Sequence, residues 1–182
     1  MQLHESSGGT AITADTAIEG LYAAHWRPLV RLAWLLVHDQ GDAEDVVQDA
    51  FVATHRHWDL LRDQAAATAY LRRCVVNGCR SLGRHQLVVR RELSAAAGRA
   101  DAPGRDVSAS AEAAALAELG DAGMLTALHA LAPRQREVLV LRYFADLSEA
   151  QIADVLQIAP GSVKAHAHRG LVALRSQVED SR

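Results

Sequence analysis

Residues 147–174 read LSEAQIADVLQIAPGSVKAHAHRGLVAL, and this stretch decides the fold. Ser148 with Gln151 three residues on is a capping-box pattern, in which each side chain satisfies an orphan backbone N–H of the other residue. Ile152, Val155 and Leu156 give the helix that follows an apolar side. Gln157-Ile158-Ala159 reads as a turn, and Pro160 suits the first turn of a second helix, where a missing N–H costs nothing. Val163, Ala167, Leu171 and Leu174 then recur at i, i+4, i+8 and i+11, an apolar face at helical period. Two short helices across a tight turn form a helix-turn-helix pattern. Opposite the apolar face of the second helix lie Ser162, Ala165, His166 and Arg169, the positions that would look into a major groove. Lys164, His168 and Arg175 form a flanking stripe suited to phosphates. Arg169 can pair bidentately with guanine, whereas Ser162 and His166 are less selective. His166 and His168 point about 200° apart on a helix, so a shared metal ion is not expected.

Outward from this motif, residues 125–142 give two more short helices around LAPRQREVL, with Pro133 in a first turn. The C-terminal helical domain is therefore expected over residues 123–178. Upstream, Gly98, Pro103 and Gly104 with several Ser and Asp mark a linker, placed at 86–122, of which 86–97 can continue as helix. Residues 17–85 carry a further run of helical patterns. Residues 1–16 are rich in Ser, Gly, Thr and Ala and read as a disordered tail. No strand-like alternation or internal repeat is seen. The fold class is all-α, with two small helical domains joined by a flexible basic linker.

The formal net charge of −3 does not advertise a nucleic-acid binder, but its distribution is uneven. Residues 1–69 sum to −6, residues 70–105 to +6 and residues 106–182 to −3. An acidic block followed by a basic one suggests two different partners. Cys74 and Cys79, five apart on a helical pattern, fit neither a zinc site nor a disulfide framework and read as small core residues. No run approaches the ~18 apolar residues of a membrane span. The opening MQLHESSGGTAITAD lacks the basic and apolar regions of a secretory signal. A cytoplasmic protein with no membrane partner is expected.

In the first domain, DAEDVVQDAFV (Asp42–Val52) reads as a helix after a break at Gly41. Val46, Val47, Ala50, Phe51 and Thr54 fall on one side, a core face. Asp45, Gln48, Asp49 and Val52 fall on the other. Taken alone, that acidic stripe reads as a solvated helix face, and a docking face for a basic partner is the sharper alternative. YLRRCVVNGCRSLGR (Tyr70–Arg84) is a second amphipathic pattern, with Leu71, Val75, Cys79 and Leu82 on its core side. Arg73, Asn77, Arg80 and Arg84 line the opposite side, where three guanidinium groups and an amide suit phosphates and a base edge. Gly78 and Gly83 each cost about 1 kcal/mol inside a helix, which points to close backbone packing there.

The acidic DAEDVVQDAF helix, then Trp58, then AYLRRCVVNGCRSLGR, resembles the core domain of extracytoplasmic-function (ECF) RNA polymerase sigma factors. Residues 123–178 are similar to the C-terminal domain of the same family, and the actinobacterial SigE-like subgroup is nearest. The resemblance implies a sigma region 2 bundle over 17–85 and a sigma region 4 helix-turn-helix over 123–178. It implies that Asp45, Gln48 and Asp49 face the clamp coiled coil of the polymerase's largest subunit, with the flap as a further polymerase contact. Arg73, Asn77, Arg80 and Arg84 would face the −10 element, and the loop around Asp59–Thr68 would cradle a flipped base. Its Gln64-Ala65-Ala66-Ala67 tip gives no base preference. Ser162, Lys164, Ala165, His166, His168, Arg169 and Arg175 would face the −35 element. The basic linker, with Arg84, Arg90, Arg91, Arg99 and Arg105, would pass near the template channel. Core polymerase, promoter DNA and an anti-sigma factor are the implied partners.

A stand-alone helix-turn-helix regulator competes with this reading, because LuxR-class regulators carry a similar Arg-Glu-Val-Leu and Val-Lys-Ala-His. The order of the two domains, with a linker between them, favours the sigma factor. An enzyme is disfavoured, since no Gly-rich phosphate loop, nucleophile elbow or metal-ligand cluster appears. No catalytic residue, cofactor or metal is expected.

Overall fold

The computed structural model describes residues 14–61, 63–96 and 122–180. Among them lie seven α-helices and one 3-10 turn, with no strand. In chain order they are α1 (Ala14–Val37), α2 (Gln40–Arg56), the 3-10 turn (Trp58–Leu60), α3 (Gln64–Ala96), α4 (Ala122–Ala130), α5 (Pro133–Tyr143), α6 (Glu149–Leu156) and α7 (Pro160–Asp180).

α1, α2 and α3 pack on one another. Leu21, Leu29, Ala33, Val47, Phe51, Leu71 and Val75 bury the apolar sides that helical period assigns them. Tyr22, Trp26 and Phe51 cluster, with ring centroids 4.8 to 6.2 Å apart. The α1–α2 connection is short because His38 takes a left-handed φ of 62°. Asp39 then caps α2, its carboxylate accepting from the Asp42 N–H at 2.9 Å. The helix therefore starts at Gln40, and Gly41 lies in its first turn rather than breaking it. A Cβ on Gly78 would lie 2.7 Å from Val46 Cγ1, so the close packing expected there is present. At Gly83 a Cβ would meet nothing within 4 Å, and close packing does not account for that glycine.

In the C-terminal half α5 is the central element, touching α1, α6 and α7. Val138, Leu139, Val140 and Leu141 are all buried, as is Glu137. Pro133 opens α5 as its sequence position suggests. The α6–α7 turn matches its reading closely. Ser148 and Gln151 form both bonds of a capping box, Gln157 ends α6 at φ 53°, and Pro160 opens α7. Val163 and Ala167 are buried, but Leu171 is 43% exposed. Gly170 takes its place, because a bare backbone lets α7 approach α5; a Cβ there would sit 3.1–3.2 Å from Leu139 and Gln135.

Two expected boundaries shift, at the starts of α1 and α3. α1 already begins at Ala14, inside the expected 1–16 tail, while residues 1–13 lie outside the described residues. α3 runs unbroken to Ala96, so the first part of the linker continues as helix, as its sequence allows. The rest of it, including Arg99 and Arg105, lies outside the described residues. Gln64–Ala67 is the first turn of α3 rather than a loop tip, with the Asp63 carboxylate accepting from the Ala66 N–H at 2.7 Å.

The two halves also touch. Arg31 of α1 lies over the Phe144 ring, 6.0 Å from its centroid. The His38 and His129 rings meet at a tilt of 49°, with centroids 4.3 Å apart. α3 packs on α6.

Candidate nucleic-acid interface

On α7 the burial of Val163, Ala167 and Gly170 leaves the far side of the helix open. Lys164, Ala165, His168, Arg169 and Arg175 are exposed, and Ser162 and His166 are half-buried. All seven residues expected on this surface are thus accessible. Arg169 bends back to its own helix, its Nε donating to the Ala165 carbonyl at 3.2 Å. The Lys164 amine lies 3.6 Å from the Glu149 carboxylate, which also accepts from Arg142 at 3.3 Å. These contacts are solvent-accessible and weak enough for a phosphate or a base edge to displace them.

On α2 the expected division of faces holds. Asp45, Gln48, Asp49 and Val52 are exposed, while Val47, Ala50, Phe51 and Thr54 are buried and Val46 packs on the core. Asp45 and Asp49 line a groove between α2 and α3, with Asn77, Ser81 and His85 on its other wall. Of the residues expected to meet −10 DNA only Asn77 lines this groove, while Arg80 and Arg84 line a different one with His129 and Glu137.

The α3 stripe is less open than its sequence suggests. Asn77 and Arg84 are exposed, but Arg73 and Arg80 are half-buried. Arg80 Nε and Nη2 donate to the two Glu137 carboxylate oxygens at 2.8 Å each, and its Nη1 donates to Asn77 Oδ1 at 3.2 Å. Arg73 Nη2 donates to Asp154 Oδ2 at 2.7 Å. Arg84 Nη2 donates to Ser81 Oγ at 3.0 Å. Arg90 and Arg91 continue α3 toward its end. Nothing in the sequence singles out Glu137 or Asp154 as partners of this stripe. Helical period marks which side of an element is polar, but it carries no information about which distant polar side meets it.

Neither cysteine is a reactive thiolate. Burial pushes the Cys79 thiol up to about 12, and burial also raises Cys74. Both are free, as expected of small core residues. Among the described residues no group of three or more His, Cys, Asp or Glu side chains could hold a metal ion, and no helix is long and apolar enough to cross a membrane.

The sigma-70 region 2 family matches residues 21–86, and sigma-70 region 4 matches residues 122–174. The RNA polymerase sigma-E factor of Streptomyces avermitilis is 34% identical over 83% of this chain and 79% of its own. The chain belongs to the sigma-70 family, as an ECF-type RNA polymerase sigma factor. The ECF RNA polymerase sigma factor SigM of Mycobacterium tuberculosis is 32% identical over 94% of this chain and 84% of its own. Two solved structures share the fold. CnrH, in complex with the cytosolic domain of CnrY, aligns with a TM-score of 0.64 at 24% identity over 93% of this sigma factor and 96% of that chain. The sigma factor RpoE from Bartonella quintana, in complex with the anti-sigma factor NepR, aligns with a TM-score of 0.66 at 21% identity over 90% and 98%. The region 2 match ends at residue 86 within α3, so in this sigma factor the helix outruns the conserved domain by ten residues.

Proposed function

We propose that this sigma factor docks on core RNA polymerase through Asp45, Gln48 and Asp49 and reads promoter DNA with two separate helices. α7 enters the major groove of the −35 element, with Ser162, Ala165, His166 and Arg169 toward base edges and Lys164, His168 and Arg175 toward phosphates. Arg73, Asn77, Arg80 and Arg84 of α3 hold the melted −10 strand. The protein is an initiation factor with no chemistry of its own, and an anti-sigma factor is its proposed regulator. The observation that carries this reading is the open face of α7, where every side chain expected to meet DNA is accessible while the opposite side is packed on α5.

The test is run-off transcription with purified core polymerase over a promoter library, using the wild type and the Asp45→Arg, Asp49→Arg double variant. The wild type should direct initiation at a defined promoter class. The double variant changes only exposed positions, so it should fold, yet lose holoenzyme assembly. A folded double variant that assembles at wild-type affinity would show that polymerase docks elsewhere.

A further inference from the structure

Where α1, the start of α2, α3 and the segment after α5 meet lies a pocket of about 580 Å³, within the range of small-molecule sites. Arg27 and Arg31 of α1 and Arg72 of α3 line it, together with Trp26 and Phe144. Glu44 is the one carboxylate among the described lining residues, and it already accepts from Gln40 Nε2 at 2.6 Å. The pocket thus carries two positive charges in excess. Among the described residues none of the three guanidinium groups has a hydrogen-bonded or ion-paired partner, and Arg31 only lies over the Phe144 ring, 6.0 Å from its centroid. Arg72 is half-buried, and burial lowers its pKa with no carboxylate to offset the effect. His25, in the same wall, is held down by burial and by Arg72, so its ring is neutral and adds no charge. A partly buried cation without a counter-ion costs stability, and a fold that retains one has a use for it. Gln40 Oε1 is a further unpartnered group, a buried acceptor.

We propose that this pocket binds a nucleoside monophosphate, with its phosphate on Arg27, Arg31 and Arg72 and its base against Trp26 and Phe144. A phosphate monoester carries a charge of about −2 near pH 7, which matches the excess in the pocket. Arginine forks suit its oxygens better than a single ammonium would. The two aromatic side chains offer a flat ring a surface to stack on, and the Gln40 acceptor calls for a ring or sugar that carries N–H or O–H donors rather than a plain hydrocarbon. The site is separate from the surfaces assigned to polymerase and promoter, since none of Asp45, Gln48, Asp49, the α3 stripe or the α7 face lines it.

The experiment titrates the purified full chain by calorimetry with the four ribonucleoside 5′-monophosphates, and with the matching nucleoside and inorganic phosphate as the separate halves. At least one monophosphate should bind with a Kd below ~1 mM, and each half about tenfold more weakly or worse. Arg72→Gln removes the charge and keeps much of the stem. It should weaken binding about tenfold or more, yet raise the Tm of the unliganded protein, because an unpaired cation has left a half-buried position. A lower Tm would mean that Arg72 only holds the fold, and would remove it from the site. Arg27→Ala changes an exposed side chain and should weaken binding in the same direction. Asp45→Arg with Asp49→Arg should bind the monophosphate as the wild type does, so an error in the polymerase-docking assignment leaves this result untouched. The proposal is overturned if no monophosphate binds the wild type, or if both arginine variants bind it equally well. Inorganic phosphate binding as tightly as the monophosphates would reduce the pocket to a simple anion site and overturn it too. If the arginine changes weaken only the binding of random-sequence single-stranded DNA, the pocket is a nucleic-acid contact and the proposal fails.

Discussion

Gln157 holds the left-handed region at φ 53°, in the turn on which the helix-turn-helix depends. A side chain there crowds the following carbonyl, and only glycine escapes the penalty. Its Nε2 donates to the Asp154 carbonyl at 2.6 Å, but at an exposed site that recovers little. Gln157→Gly should therefore raise stability by about 0.5–1 kcal/mol in urea unfolding, and Gln157→Val should lower it. Gly78 is the opposite case, a position where only the absence of a side chain is tolerated. With Val46 Cγ1 2.7 Å from where a Cβ would stand, Gly78→Ala should cost ~1–3 kcal/mol. Val46→Ala in the same chain should recover part of that loss, and additive losses would mean that the two residues do not share the strain. The sequence pointed to close packing at Gly78 and Gly83 alike, but did not show that only Gly78 has a neighbour, Val46, to account for it. A glycine in a helix signals either close approach or indifference, and Gly83, with open space around it, is the indifferent kind.

At the scale of the elements, caps and apolar periods were the legible part. The Ser148–Gln151 box, Pro133 and Pro160 each stand where local chemistry puts them, because each is settled by a few adjacent residues. Errors arose where a partner helix decides. Leu171 fits the α7 period, yet α7 is rotated so that Gly170 faces α5, since two backbones in close contact outweigh one more leucine in the seam. α5 shows no clean polar side in its middle because α1, α6 and α7 all pack on it, and Glu137 is enclosed with its apolar neighbours. For α7 the rotation leaves the reading face intact, which separates the roles of its two cations. Arg169→Ala should cost about 1–3 kcal/mol of −35 binding and relax one base position. Lys164→Ala should weaken all sequences alike and lower the salt slope by about one. Selection from randomised −35 duplexes distinguishes them, and an unchanged base preference in Arg169→Ala would remove Arg169 from the reading set.

Across the whole molecule, the acidic and basic blocks of the sequence pointed to external partners, and the structure adds an internal one. A flexible linker leaves the two halves either to tumble separately or to be held compact by an interface, and they meet through α1 with α4 and α5, and through α3 with α6. Such a contact escapes sequence reading because it depends on isolated side chains from distant segments rather than on any periodic face. His129 of α4 makes it sensitive to pH. Burial holds its imidazole down at about 3, and His38 and Arg136 add repulsion against a proton. The His38 ring meets it at a tilt from just beyond the end of α1, while Arg136 Nη1 of α5 donates to the His129 carbonyl at 3.0 Å and lies 3.4 Å from Nδ1. Nε2 is buried without a partner and Nδ1 faces the Arg136 guanidinium, so neither ring nitrogen of His129 has an acceptor for a second N–H. His38 and His129 line a cavity with Arg80 and Arg84 of α3 and with Arg134, Arg136 and Glu137 of α5, a surrounding with one carboxylate against several guanidinium groups. Above pH 6.5 the ring is neutral whether the chain is folded or not, and it contributes no pH dependence. Below 6.5 the unfolded chain takes a proton that the folded ring refuses, so stability falls as pH drops from 6.5 toward 3. Because water reaches part of the ring, the loss by pH 5.5 is on the order of 1 kcal/mol rather than the full value for one pH unit. Thermal melts at pH 7.5 and 5.5 should show a larger drop in Tm for the wild type than for His129→Gln, whose amide does not titrate. Carboxylates that titrate in this range do so in both proteins and cancel in the difference. An equal drop in the two would show that His129 is not the proton-sensitive group between the halves.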